Sequence, residues 1–453
     1  MEQEEGHLVA DADARAAAYL RGIETRRVFP DSDALRALER LDEPLPPVGL
    51  PAMDTLALLD EIGSPATVAS NGPRYFGFVV GAALPAAAAA DRLMLAWDQG
   101  AALAMAAPGV ARFEQVAGRW MLDILDLPRG SAVGFGTSAT ACSLGILAAA
   151  RDALLGRTGW DVGSQGLFGA PEVRVVVPAT VHVTISKALR VLGFGADRIL
   201  RAPVDAQGRI DPDRLPPLDG RTILVLQAGE VNTGEFDRFD VLVPRARAAG
   251  AWVHVDGAFG LWARASAHRD RTAGVEGADS WTVDGHKWLN TPYDCSMAIC
   301  RDPDALARAL NSDAAYATGS REAQKNLTLE FSRRGRGVTV WAALRTLGRD
   351  GVAGLVERHC AQAQHLAARL RDAGFNVLNR VVLNQVVVRG RDDAETLAVR
   401  LGAEQSGEVW FGPTVWAGKP AFRLSISSWR TTDADIDRLV DVLVRAREAH
   451  RAG

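Results

Sequence analysis

The chain has 453 residues, 48% of them apolar, with a formal net charge of −4 and a pI near 6.1. This length and composition suit a globular protein with one large core and a second, smaller one. The slightly acidic balance and the scattered arginines leave no basic surplus for a nucleic-acid backbone, so no nucleic-acid partner is expected.

The first residues, MEQEEGHLVA, are acidic where an export signal would be basic and then apolar, so a cytoplasmic location is expected. Cys142, Cys295, Cys300 and Cys360 form no CxxC pair, which fits buried thiols in a reducing compartment and argues against a zinc or other metal site. Residues 1–65 read as a helical arm that ends in the proline-rich DEPLPPVGLP. The segment GAALPAAAAADRLMLAW contains Pro85, Asp91 and Arg92; it is too short and too charged to span a bilayer, so no membrane association is expected and it reads as a buried helix.

Residues 66–310 alternate helical patterns with continuous apolar runs: VRVVVPA, TILVLQAG, WVHVDGA and SMAICR. Such runs predict a large, mostly parallel sheet covered on both faces, an α/β fold. After residues 311–345, residues 346–453 predict a smaller C-terminal α+β domain, with strands in NQVVVRG and FRLSISS. A final helix carries Ile436, Leu439, Val440, Leu443 and Val444 at helical spacing behind a Thr432/Asp435 cap.

Ligands of such sheets bind beyond the carboxyl ends of the strands, and four segments there are rich in chemistry. In VGFGTSATACSLGILAAARDAL, small residues lead into a strong helix whose first N–H groups suit a phosphate. Gly134, Gly136 and Ala139 also satisfy a GxGxxG/A pattern, with Asp152 or Asp161 as a ribose acid, and a plain helix-capping turn reads equally well. VHVTISKALR places His182 just after a strand. WVHVDGAFG ends an apolar strand in Asp256, a carboxylate that needs a cationic partner if it does more than cap the next segment. DGHKWLNTPYDC sets Lys287 in partly apolar surroundings, which favour a neutral amine able to form a Schiff base. A phosphate cradle, a histidine, a buried aspartate and an amine together match the needs of pyridoxal phosphate.

From NGPRYFGFV to FRLSISSWRTTDADIDR the chain resembles the group II pyridoxal-phosphate-dependent amino acid decarboxylases, relatives of the aromatic-amino-acid and glutamate decarboxylases. HVDGA and DGHKW carry most of the resemblance; SATACS, VHVTISKALR and SRRGRGVTVWAALRTLGRDG support it. It implies a fold type I pyridoxal-phosphate enzyme, a homodimer with shared active sites, that converts an L-amino acid to its amine and carbon dioxide. In it Lys287 would be the Schiff-base lysine, Asp256 the partner of the ring nitrogen, His182 the stacking residue and Ala258 a contact under the ring. Ala139, Thr140 and His286 would hold the phosphate. Residues 311–345 would form a mobile catalytic loop and connecting helix, with Tyr316 or His182 returning a proton to the substrate. Phe78, near Pro73, Tyr75 and Phe76, and Arg423 would meet the substrate, whose side chain is expected to be aromatic or apolar.

Two residues depart from the family pattern: Ala141 stands where an acid is common, and Glu230 where a small polar residue is expected. A carboxylate at 230 would repel phosphate unless it is paired, or would suit a cationic substrate. Other reactions of the same cofactor (oxidative deamination, aldehyde synthesis, transamination, aldol cleavage), a nicotinamide-dependent oxidoreductase and a noncatalytic protein of this fold are the rival readings.

Overall fold

Runs that are apolar at every position, with no polar face to turn to water, become strands buried on both sides. The strands are β1 Ala132–Gly136, β2 Arg174–Pro178, β3 Leu200–Ala202, β4 Thr222–Gln227, β5 Trp252–Asp256, β6 Ser280–Asp284 and β7 Ser296–Cys300. Every residue of β4, β5, β6 and β7 is buried. The computed structural model describes residues 2–311 and 322–452. By compactness the chain divides into two units: Ala83–Ala363 with Asn379–Gln385, and Met1–Ala82 with Gln364–Leu378 and Val386–Gly453.

The first of these units contains the seven-stranded sheet, in the order β1-β7-β6-β5-β4-β2-β3. Pairing is parallel from β3 through β6, and β7 runs antiparallel to both β6 and β1. The expected mostly parallel α/β sheet is therefore present.

The helices are α1 Glu2–Arg21, α2 Ser32–Ala37, α3 Ala52–Leu58, α4 Ser64–Ala66, α5 Pro85–Trp97, α6 Pro108–Ile124, α7 Ala139–Gly156, α8 Val162–Gln165, α9 Val183–Val191, α10 Phe239–Ala248, α11 Pro303–Leu310, α12 Gly337–Asp372, α13 Asp393–Ser406 and α14 Asp433–Ala452. Helix α7 is long and apolar enough to cross a membrane, yet it packs in a core with β2, β4 and β7 residues: Ile146, Leu147 and Ala150 meet Val175, Val177, Val225 and Ala298. Helix α12 is broken at Gly348, whose φ of 63° is readily available only to glycine.

Gly134 and Gly136 belong to β1, in register with Ala298 and Ser296. A Cβ on Gly134 would lie 2.1 Å from the Leu327 carbonyl oxygen, and one on Gly136 2.8 Å from Cys142 Sγ. Close packing of a loop and a helix on β1 accounts for these glycines, which corrects the dinucleotide reading. Helix α5 forms where expected but is not buried. Ala87 and Met94 face inward, while Leu93, Leu95 and Trp97 are exposed, because only one stripe of this largely apolar helix meets the rest of the unit.

A fully buried ion pair ties the start of α12 to α6 and β1. Arg333 donates to both carboxylate oxygens of Glu114, at 2.8 and 2.6 Å, and to the Phe135 carbonyl, and Glu114 also accepts the Gly337 N–H.

The second unit has a four-stranded sheet built from β8 Asn376–Val377, β9 Gln385–Arg389, β10 Gly412–Trp416 and β11 Lys419–Ser425, in the order β10-β11-β9-β8. The expected cap of α14 is reciprocal: the Thr432 N–H donates to Asp435 at 3.0 Å and the Asp435 N–H to Thr432 Oγ1 at 3.3 Å. Ile436, Leu439, Val440 and Leu443 are buried as their spacing predicts.

His254, inside β5, has no exposed surface and bonds Ser280 Oγ at 3.1 Å. Burial pushes its imidazole from 6.5 down to about 3. Between those values the unfolded chain binds a proton that the native chain does not. Stability therefore rises with pH across this window, by up to about 1.4 kcal/mol per pH unit, and is lost as pH falls from 6.5 toward 3. His254→Asn should flatten the acid side of the stability profile, read as unfolding midpoints between pH 6.5 and 5; equal slopes in the two proteins would contradict this assignment.

Candidate active site

Strands β5 and β6 both end in an aspartate followed by glycine, and both carboxylates point to the region beyond their carboxyl ends. Asp256 pairs in register with Gln227 on β4 and Thr282 on β6. Ala258 links the two strand ends. Its N–H donates to Asp256 Oδ1 at 3.2 Å, and its carbonyl accepts the Asp284 N–H at 2.9 Å. The Trp262 indole donates to the Asp284 carbonyl at 3.1 Å, which fixes that backbone further.

The two carboxylates have different surroundings. Asp256 is 8% exposed, and among the described residues its second oxygen accepts no hydrogen bond. Such a carboxylate calls for a cation or an N–H donor. Asp284 is fully engaged. Its Oδ1 accepts the Ala139 N–H at 2.9 Å, and its Oδ2 lies 3.2 Å from Lys287 Nζ and 3.8 Å from His286 Nε2. The sequence reading missed Asp284, although WVHVDG and SWTVDG are nearly the same phrase.

Helix α7 starts at this point. Ser138 caps it by accepting the Ala141 N–H at 3.3 Å, which gives Ala141 a backbone role only. With Ala139 taken by Asp284, the half-buried Thr140 presents an N–H and a hydroxyl that bond none of the described residues. These are donors suited to an anion at a positive helix end.

His286 accepts the Cys295 N–H at Nδ1, 3.3 Å away, so its proton resides on Nε2, facing Asp284. Burial lowers its basicity, only partly countered by Asp284, and the ring stacks on Tyr293 with centroids 4.3 Å apart. His182 caps α9. Its Nδ1 accepts the Thr184 N–H at 3.4 Å and meets Thr184 Oγ1 at 2.7 Å, which fixes the ring at a strand end. From the neighbouring segment, Gln227 donates to Thr180 Oγ1 at 3.2 Å.

Glu230 is turned into its own loop, where its carboxylate accepts the N–H groups of Asn232 at 2.7 Å and Thr233 at 2.8 Å. The repulsion expected from the sequence is thereby avoided. Phe78 and Arg423 belong to the other compact unit. Phe78 is exposed with φ 51°, its ring 5.9 Å from that of Trp410, on which Tyr75 and Phe29 also stack. Arg423 sits half-buried in β11, in register with Gly412. Tyr316 lies outside the described residues.

Three kinds of group thus converge in one unit: an amine, a buried carboxylate with a free oxygen, and an anion seat at a helix start. They fit pyridoxal phosphate, which carries an aldehyde, a protonated ring nitrogen and a phosphate. Comparison with known proteins agrees. The chain is 27% identical to L-2,4-diaminobutyrate decarboxylase of Rhizobium meliloti (strain 1021), across 98% of this chain and 91% of that one. It is 28% identical to tryptophan decarboxylase 1 of Oryza sativa subsp. japonica, across 73% of this chain and 69% of the relative. The crystal structure of Oryza sativa TDC with PLP and tryptamine superposes with a TM-score of 0.91 at 22% identity, covering 99% of both chains, and so shares the fold. The sequence profile described as the pyridoxal-dependent decarboxylase conserved domain matches residues 63–391, well over half the chain, and the protein belongs to that family of pyridoxal-phosphate-dependent carboxy-lyases.

Proposed function

We propose that the protein decarboxylates an aromatic or otherwise apolar L-amino acid to its amine and carbon dioxide, with Lys287, Asp256 and His182 at the reacting end of the site. The observation that carries this reading is the pairing of Lys287 with a carboxylate, beside a second buried carboxylate that keeps one oxygen free. Lys287 would hold the cofactor through its amine, Asp256 would hold the proton on the ring nitrogen, and Thr140 and His286 would face the phosphate. When bound, the cofactor supplies an electron sink for the pair left at Cα as the carboxylate departs.

The chain's own residues orient and protect that chemistry. Asp256 is fixed by the Ala258 N–H and shielded from water, so its charge acts in a site of low dielectric. His182, held by Thr184, would lie against the ring, and Ala258 would pack beneath it. Tyr316 would return a proton to Cα.

The aromatic preference is supported by the tryptophan decarboxylases among the relatives. Glu230, already bonded within its own loop, offers no ready partner for a substrate ammonium. A homodimer is proposed because apolar side chains stay in water on the single chain: Leu45 is 92% exposed, Met105 77% and Leu95 64%. Sedimentation of the pure protein at micromolar concentration should give twice the chain mass, and a monomer there would refute it.

Incubation with a panel of amino acids, scored by mass for amine formation, should give product from tryptophan, tyrosine or phenylalanine in preference to 2,4-diaminobutyrate. Turnover of the diamino acid alone would reverse the substrate reading, and keto acid or aldehyde in place of amine would replace the reaction. In the same assay Asp256→Asn should lower turnover at least a hundredfold and weaken cofactor retention. Tyr316→Phe should cut amine yield about a hundredfold, the low end of what a positioned acid contributes; an unchanged yield in either variant removes that residue from its role.

A further inference from the structure

The carboxylate of Asp284 sits at the start of α7, the helix end proposed above to face the phosphate. It accepts the Ala139 N–H at 2.9 Å, leaving Thr140 as the donor at that helix end with no bond to the described residues. Its other oxygen pairs with Lys287 Nζ at 3.2 Å, so the nearby cation is neutralised by the same residue. His286 adds no charge, because burial disfavours its protonated form. Burial likewise keeps the Cys142 and Cys295 thiols, pushed up to about 12, in their neutral form. Asp294, the other carboxylate near His286, is paired with Arg336 at 2.8 Å. Summed over Lys287 and Asp284, the seat carries no net positive charge, an unusual property for a site that takes a phosphate.

We propose that Asp284 is a resident anion of the phosphate seat. It holds the seat together by capping α7 and pairing with Lys287, and it competes with the cofactor's phosphate for the helix end. Docking of the phosphate requires Asp284 to give up the Ala139 N–H, and capture of the cofactor by Lys287 requires the amine to leave Asp284. Asp284 is thus a positioning residue whose charge weakens phosphate binding while its geometry preserves the site. The inference rests on α7 being the phosphate's seat, as assigned above.

The test uses the full-length chain freed of cofactor and inorganic phosphate as the probe, with affinity read by calorimetry and by phosphorus NMR. Asp284→Asn keeps an acceptor for Ala139 but removes the charge, leaving Lys287 as a net positive charge, so phosphate should bind at least tenfold more tightly. Pyridoxal, which has no phosphate, should show no such gain. Thr140→Val should weaken phosphate binding. Phosphate affinity that is unchanged or reduced in Asp284→Asn, or a gain equally large for pyridoxal, overturns the competition. An unchanged affinity in Thr140→Val shows instead that α7 is not the seat. If the asparagine variant does not fold, Asp284→Ser removes the same charge and is read in the same way.

Discussion

The bond between the Asp284 carboxylate and the first N–H of α7 joins parts of the chain 145 positions apart and fixes where the site can be. A helix start exposes N–H groups that cannot be left unpaired in a buried setting, and a strand-end carboxylate only 2% exposed cannot be left without donors. Each satisfies the other, and Lys287 completes the set from one turn beyond the strand. The β1-β7-β6 pairing, with its single antiparallel strand, brings the end of β6 and the start of α7 to the same side of the sheet.

How much of this was legible in the sequence depended on how many physical demands a residue met at once. Strands β2, β4, β5 and β7 were readable because burial on both faces leaves mostly apolar residues to choose from. Asp256 and Lys287 were readable because a charge at the end of such a run has no packing explanation. Asp284 satisfies the same criterion, yet its place just before a glycine, a histidine and a lysine lets it read as part of their turn. Strand β1 was hidden by its glycines, which suggest a turn but answer to the Leu327 carbonyl, a contact nearly two hundred residues away that no local pattern encodes. Helix α5 misled in the opposite sense: composition reports how apolar a segment is, not how much of it the same chain covers.

Glu230 shows why a charge in the sequence is not yet a charge in the site. The glutamate side chain turns back into its own loop and accepts the N–H groups of Asn232 and Thr233. Its field is thereby absorbed locally, although burial still holds its carboxyl above the usual range. The departure from the family pattern is therefore accommodated by a turn.

The two strand-end aspartates also give the site a direction. Asp256 and Asp284 follow nearly identical strands, yet one keeps a free oxygen and the other is bound by a helix end and an amine. A ligand entering between them would meet an unbalanced negative charge at one end and, at the other, the N–H and hydroxyl of Thr140 beside an ammonium paired with Asp284. A molecule with a cationic ring nitrogen at one end and a phosphate at the other can satisfy both ends in one orientation only; reversing it would set phosphate against Asp256. On the proposed assignment, orientation of the cofactor would thus be specified before any substrate contact is made, by the different partners that the fold gives to two chemically identical side chains.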